Sequence, residues 1–265
     1  MATPMTPDEI RSALRKWEIP FREVPGWDTP TSGRDDETGL VFGPVHGCVT
    51  HHTGDDAPDT ANRSIIIHGR SDLPGPLAQF GLNDDGVVDL ITCHRANHAG
   101  GGDPKVLQQV MDESYEDYPS PSHYHQGSPG AADGNDCFYG CEVYYSGLKS
   151  MTSKQYSSIV GLWTAICDHY GWSAKSVIGH KEWSDQKWDP GQIDMKVLRA
   201  DIQKRLDAGS QGAQITPNIA KAIKANILYR RALDRIKAPA LQDQADQWRK
   251  ELRAQYRALV EKERK

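Results

Sequence analysis

The sequence predicts an α/β protein of the α+β kind, with a mixed central β-sheet flanked by helices on both faces and a C-terminal helical hairpin. Three observations predict it. Short β-rich runs recur between segments whose apolar residues have helical spacing, glycine and proline turns separate the two kinds, and the composition shifts after Gly209-Ser210-Gln211-Gly212. The 265 residues, 37% hydrophobic with seven Trp, suffice for one domain over residues 1–210 and a smaller helical region over 215–265.

The elements follow in chain order. Thr6-Pro7-Asp8-Glu9 supplies an N-cap threonine, proline at the first helical position and glutamate at the third; Ile10, Leu14 and Trp17 follow at helical spacing, so a short amphipathic helix opens the chain. Gly47-Cys48-Val49-Thr50-His51-His52 reads as a strand. Arg63-Ser64-Ile65-Ile66-Ile67-His68 is an apolar run that periodicity alone cannot type, and strand and helix both stay open. Asn83-Asp84-Asp85-Gly86 is a hairpin-type turn before the β-rich Val87-Val88-Asp89-Leu90-Ile91.

Residues 100–135 form a Gly/Pro/Ser/Asp-rich connection, too long to be an idle loop and therefore functional or mobile. Its Tyr115, Tyr118, His123, Tyr124 and His125 can line a groove, but they read more simply as solvent-exposed loop residues. Phe138-Tyr139-Gly140-Cys141-Glu142-Val143-Tyr144-Tyr145 is a strand with Glu142 set among apolar and aromatic neighbours. Over residues 153–170, Tyr156, Ile159, Val160, Trp163 and Cys167 recur at helical intervals, and Gly171 stands where a C-terminal cap belongs. Ser176-Val177-Ile178-Gly179 leads as a short strand to His180, and a further helix covers about residues 193–206. In the tail, Ala238-Pro239 separates two helical halves; Leu241, Ala245, Trp248, Leu252, Tyr256 and Leu259 form the apolar stripe by which a hairpin would dock.

Charge is unevenly placed. Residues 215–265 hold 13 Lys+Arg against 6 Asp+Glu, which leaves 18 against 30 for residues 1–214, so the body is near −12 and the tail near +7. An acidic body argues against nucleic acid as its partner. The basic tail can attract anionic polymers, oligomerise through its stripe or pack on its own body. No run approaches the roughly 18 apolar residues of a membrane span, and Asp8, Glu9 and Arg11 stand where a signal peptide would be apolar. The expectation is a soluble chain made in the cytoplasm without membrane contact. The five cysteines are odd in number and without C-x-x-C spacing, which reads as buried free thiols in a reducing compartment.

The candidate chemistry lies in His51 and, far downstream, in Gly179-His180-Lys181-Glu182-Trp183-Ser184-Asp185-Gln186-Lys187-Trp188-Asp189-Pro190-Gly191. Two imidazoles and a carboxylate are a zinc-ligand set, and three protein ligands leave the fourth tetrahedral position for water. With Val49-Thr50-His51-His52-Thr53, Leu73-Pro74-Gly75-Pro76-Leu77, Arg95-Ala96-Asn97-His98-Ala99-Gly100 and Tyr139-Gly140-Cys141-Glu142-Val143 in the same order, residues 6–206 resemble the type 2 N-acetylmuramoyl-L-alanine amidases and peptidoglycan-recognition proteins, particularly endolysins of phages that infect actinobacteria.

The resemblance implies that His51, His180 and Asp189 bind Zn2+, that Lys187 stabilises the oxyanion and that Glu142 is the general base. His52 projects to the opposite face by strand alternation and is structural. Asn97 and His98 are candidate contacts to the substrate. Some phage amidases of this superfamily carry a catalytic tyrosine where this chain has Ala78-Gln79-Phe80, so proton transfer falls to Glu142. The implied activity is zinc-dependent cleavage of the amide between N-acetylmuramic acid and L-alanine in bacterial peptidoglycan, by a phage endolysin made in the host cytoplasm and released to the wall through holin lesions. The alternatives are a non-catalytic recognition module, an amidase recycling soluble wall fragments in the cytoplasm, and a structural phage component docking on the wall.

Overall fold

Capping and side-chain alternation account for most of the architecture. In the computed structural model, which describes residues 2–35 and 39–212, helix α1 (Pro7–Lys16) begins with the expected capping box. Thr6 Oγ1 accepts the Glu9 N–H at 3.3 Å, and Glu9 Oε2 accepts the Thr6 N–H at 2.8 Å. Helix α5 (Ser153–Tyr170) starts with a second box from Thr152 and Gln155 and stops at Gly171, whose φ of 70° suits a residue without Cβ. Between them lie β1 (Phe21–Glu23), β2 (Gly47–His52), α2 (Asp59–His68), β3 (Gly69–Arg70), β4 (Leu73–Pro74), β5 (Phe80–Leu82), β6 (Val88–Leu90), β7 (Gly101–Gly102), α3 (Pro104–Met111), β8 (Ala132–Asp133), α4 (Gly134–Cys137) and β9 (Phe138–Val143). After α5 come β10 (Val177–Gly179), α6 (His180–Trp183) and α7 (Met195–Gly212).

The central sheet has the order β1-β6-β5-β9-β2-β10, parallel throughout except for the β5–β6 hairpin. It is the expected mixed sheet. One face buries Cys48, Tyr139, Cys141 and Val143 against Leu14 of α1, Ile159 and Trp163 of α5, and Leu198 and Ile202 of α7. Trp163 is fully buried and its indole N–H donates to Thr50 Oγ1 at 2.9 Å. Truncating a fully buried tryptophan costs about 3–5 kcal/mol, the scale at which this side chain holds α5 on the sheet. On the other face, Val49, Phe138 and Ile178 pack on Val106 and Val110 of α3 and on Trp183 of α6, while Ile66 of α2 packs with Leu77, Ala78 and Tyr144. All five cysteines are buried and free, as their spacing suggested.

One open reading is settled and one expectation changes. The run over residues 63–68 is the second half of α2. The connection over 100–135 contains a helix and a small two-stranded sheet rather than one loop: Asp103 caps α3 by accepting the Lys105 N–H at 2.9 Å, Pro104 takes the first helical position, and Val106 and Val110 bury one turn apart. That helix signal was present in the sequence and was obscured by the glycine, proline and serine around it. Tyr115 is buried there, whereas Tyr118 is exposed. Among the described residues no helix is long and apolar enough to cross a membrane. The hairpin expected over residues 215–265 lies outside the described residues.

Candidate active site

Parallel pairing brings the carboxyl ends of β2, β9 and β10 together, the end of an open α/β sheet where ligands bind. Strand alternation then selects the face. His51 follows Val49 on β2 and is in register with Glu142 on β9; His180 follows Ile178 across the β10–α6 junction. All three side chains therefore lie on the α3 side. Asp189 is brought to them by the loop after α6: the Lys181 N–H donates to the Asp189 carbonyl at 2.8 Å, and Lys181 Nζ donates to the carbonyls of Gly191 and Ile193, each at 2.8 Å.

The resulting triangle is tight. His51 Nδ1 is 3.0 Å from His180 Nδ1 and 2.9 Å from Asp189 Oδ2, and His180 Nδ1 is 3.0 Å from Asp189 Oδ2. Among the described residues these three are the group able to hold a metal ion. Donors about 2.0–2.1 Å from a tetrahedral zinc ion stand about 3.3 Å apart, so a slight opening of the triangle accommodates one. Burial lowers the pKa of His51 to about 4, against the pull of Asp189, so its ring is neutral and offers a lone pair. Two imidazoles and one carboxylate form a donor set suited to zinc.

Glu142 stands beside this triangle with Oε2 shielded from solvent and without a hydrogen-bond partner among the described residues. Burial, then the Asp189 charge, push its pKa well above the ordinary carboxylate value, with Lys187 pulling the other way. A cavity of about 220 Å³ is lined by His51, Glu142, His180, Lys187 and Asp189. A larger one of about 630 Å³ reaches Arg95, Gly101, Gln126 and Asp133, and Asn97, His98, His180 and Lys187 line both. The partly shielded Glu142 carboxyl, the exposed Lys187 side chain and a triangle able to hold a metal ion thus share one groove.

The remaining sequence candidates fall as follows. Asn97 lines the groove and donates to the Pro74 carbonyl at 2.9 Å. His98 is 8% exposed, with Nδ1 3.1 Å from His51 Nε2 and Nε2 3.0 Å from the Phe138 carbonyl oxygen. His52 turns away from His51, its ring against Trp188 and Tyr145. Gln79 joins the Gly140 N–H to the His94 carbonyl and Phe80 is buried in the core, so the stretch before the Asp-Gly turn is structural. Tyr115, Tyr118, His123, Tyr124 and His125 line neither cavity, although Gln126 and Ser128 from the same segment line the larger. Two contributors went unseen in the sequence. Arg70 of β3 lines the smaller cavity, and Asn135 of α4 accepts three backbone N–H groups beside the triangle. A lone arginine in a turn and a lone asparagine after glycine carry no spacing signal.

A model of the N-acetylmuramoyl-L-alanine amidase family matches residues 42–192, more than half of the chain. The comparison with curated proteins gave no match. Among solved structures, the chain is similar to N-acetylmuramoyl-L-alanine amidase LysC from Clostridium intestinale URNW at 18% identity, covering 69% of this chain and 96% of that one with a TM-score of 0.44. It is similar to PlyL at 15% identity, covering 71% and 96% with a TM-score of 0.46, and to AmpD at 18% identity, covering 69% and 94% with a TM-score of 0.44. The assignment rests on the family model, whose span contains His51, Glu142, His180, Lys187 and Asp189. The chain belongs to the N-acetylmuramoyl-L-alanine amidase family and is a hydrolase of the peptidoglycan amidase class.

Proposed function

We propose that this amidase is zinc-dependent, cuts between N-acetylmuramic acid and the L-alanine of the stem peptide, and serves a phage as an endolysin. The observation that carries the zinc reading is the triangle of His51 Nδ1, His180 Nδ1 and Asp189 Oδ2, with sides of 2.9–3.0 Å, beside a Glu142 carboxyl whose Oε2 has no partner among the described residues. Zinc held there would polarise the scissile carbonyl and acidify a water at its open position. Glu142 takes the proton of the attacking water and returns it to the departing alanine amine; its raised pKa suits both transfers. Lys187, exposed on the rim of both cavities, places its ammonium against the oxyanion. Asn97 meets the substrate where the two cavities join.

The endolysin role draws on the motif resemblance to phage lysins and on the near +7 tail, which suits anionic wall polymers. In this reading the chain is made in the host cytoplasm and reaches the wall through holin lesions. The deciding experiment incubates the chain with purified peptidoglycan, with and without a zinc chelator, and follows new N-terminal alanine and new reducing sugar ends together. Alanine amines that appear only without chelator, with no new reducing ends, support the reading. Wall binding without alanine release by zinc-loaded protein would make the chain a recognition module. Cleavage confined to soluble muropeptides would place it in wall recycling.

A further inference from the structure

Consecutive residues of one loop meet the outer nitrogens of both histidines in the triangle. His180 Nε2 lies 3.1 Å from the Ala99 carbonyl oxygen, and His51 Nε2 lies 3.1 Å from His98 Nδ1. A carbonyl only accepts, so His180 carries its hydrogen on Nε2 and leaves Nδ1 as a lone pair. The same logic runs through His98. Its Nε2 lies 3.0 Å from the Phe138 carbonyl and must donate, so in the neutral ring Nδ1 must accept, and His51 donates from Nε2. His51 Nδ1 is left bare and faces His180 and Asp189.

The loop is itself held in place. Asn135 Oδ1 accepts the N–H groups of His98, Ala99 and Gly100 at 2.9, 2.8 and 3.1 Å, and the Gly134 N–H donates back to the Gly100 carbonyl at 2.8 Å. Gly140 on β9 makes the room: a Cβ there would stand 2.5 Å from His98 Nδ1. With both nitrogens engaged by the protein, His98 has no ring donor or acceptor left for substrate.

Resting on the zinc reading above, we propose that His98 is a positioning residue: on a loop clamped by Asn135, it accepts from His51, and with the Ala99 carbonyl it sets both ligand imidazoles to present Nδ1 to the metal. Partners of this kind typically change metal affinity by about 10–100-fold.

The test measures zinc affinity of the metal-stripped 265-residue chain by competition with a chromophoric chelator, together with the melting temperature of the metal-free protein. His98→Leu should weaken zinc binding of the folded chain by about 10–100-fold, while the metal-free melting temperature falls only by the loss of the buried His98 hydrogen bonds. His98→Asn, whose Oδ1 can stand near the lost Nδ1, should recover most of that loss. A leucine variant that binds zinc as tightly as the parent overturns the proposal, and so does an asparagine variant no better than leucine. Imidazole ¹⁵N NMR of the zinc-loaded parent chain gives a second reading that needs no variant. Protonated Nε2 on both His98 and His51 supports the proposal, and a proton on His98 Nδ1 overturns it. A parent chain that takes up no zinc removes the zinc reading and this inference with it; tight zinc binding by parent and leucine variant alike removes only the inference.

Discussion

Asp89 and Glu142 are carboxylates in one row of the central sheet, paired across β5 to the same residue, Gly81. Their surroundings differ completely. Asp89 is fully buried and saturated: Arg22 donates to Oδ1, while Arg63 Nε at 2.7 Å and the Tyr144 hydroxyl at 3.0 Å donate to Oδ2. Glu142 has a shielded oxygen with no partner among the described residues. A saturated buried carboxylate contributes to the fold, because removing it strands the groups around it. One left unsatisfied costs stability and is available for chemistry. Two residues along the row from Asp89, the sheet changes from a carboxylate that is fully hydrogen-bonded to one with a shielded, unsatisfied oxygen.

Four substitutions sharpen or break this contrast. The largest effect is expected at Glu142→Gln: amide hydrolysis should fall by about 10²–10⁴-fold, while denaturant melts at neutral pH show stability equal to or above the parent, since the buried side chain no longer ionises against the desolvation that raises its pKa. A large loss of stability would make Glu142 another structural carboxylate. Asp89→Ala should do the reverse, losing about 3–5 kcal/mol in the same melts while the folded fraction keeps its turnover. Lys187→Ala should lower kcat by about 10²–10³-fold with KM and melting temperature little changed; an effect on KM alone would move the lysine from oxyanion to substrate binding. The smallest change is expected at Gly81→Ala, where a Cβ would stand 2.0 Å from the Tyr144 hydroxyl that serves Asp89. It should cost about 1–3 kcal/mol through overpacking, and an unchanged melting temperature would show that Tyr144 can retreat without loss.

The elements with strong local signals were legible. The capping boxes of α1 and α5, the glycine after α5, the β5–β6 turn and the strands carrying His51 and Glu142 all follow from spacings of a few residues. Helix α3 carried its own start signal, Asp103-Pro104, inside a stretch whose composition suggests a loop. The five chemical candidates His51, Glu142, His180, Lys187 and Asp189 were also legible, because each sits in a recognisable motif and all five line one cavity. His98 was legible as a residue of interest but not in its surroundings. Which atoms its ring meets depends on a glycine 42 positions later and on an asparagine 37 positions later.

The sequence by itself determined the ends of the capped helices α1 and α5, the candidates for metal-binding and acid–base chemistry, and the family, because caps, periodicities and motifs are written in near neighbours. Only the tertiary structure decided that His51 and Glu142 stand side by side, that Asp89 is saturated while Glu142 is not, and that one loop engages the outer nitrogens of both triangle histidines. Those facts depend on strand register and on contacts between residues dozens to more than a hundred positions apart. A hydrogen bond is made or missed within a few tenths of an ångström, and that precision comes from packing the whole sheet.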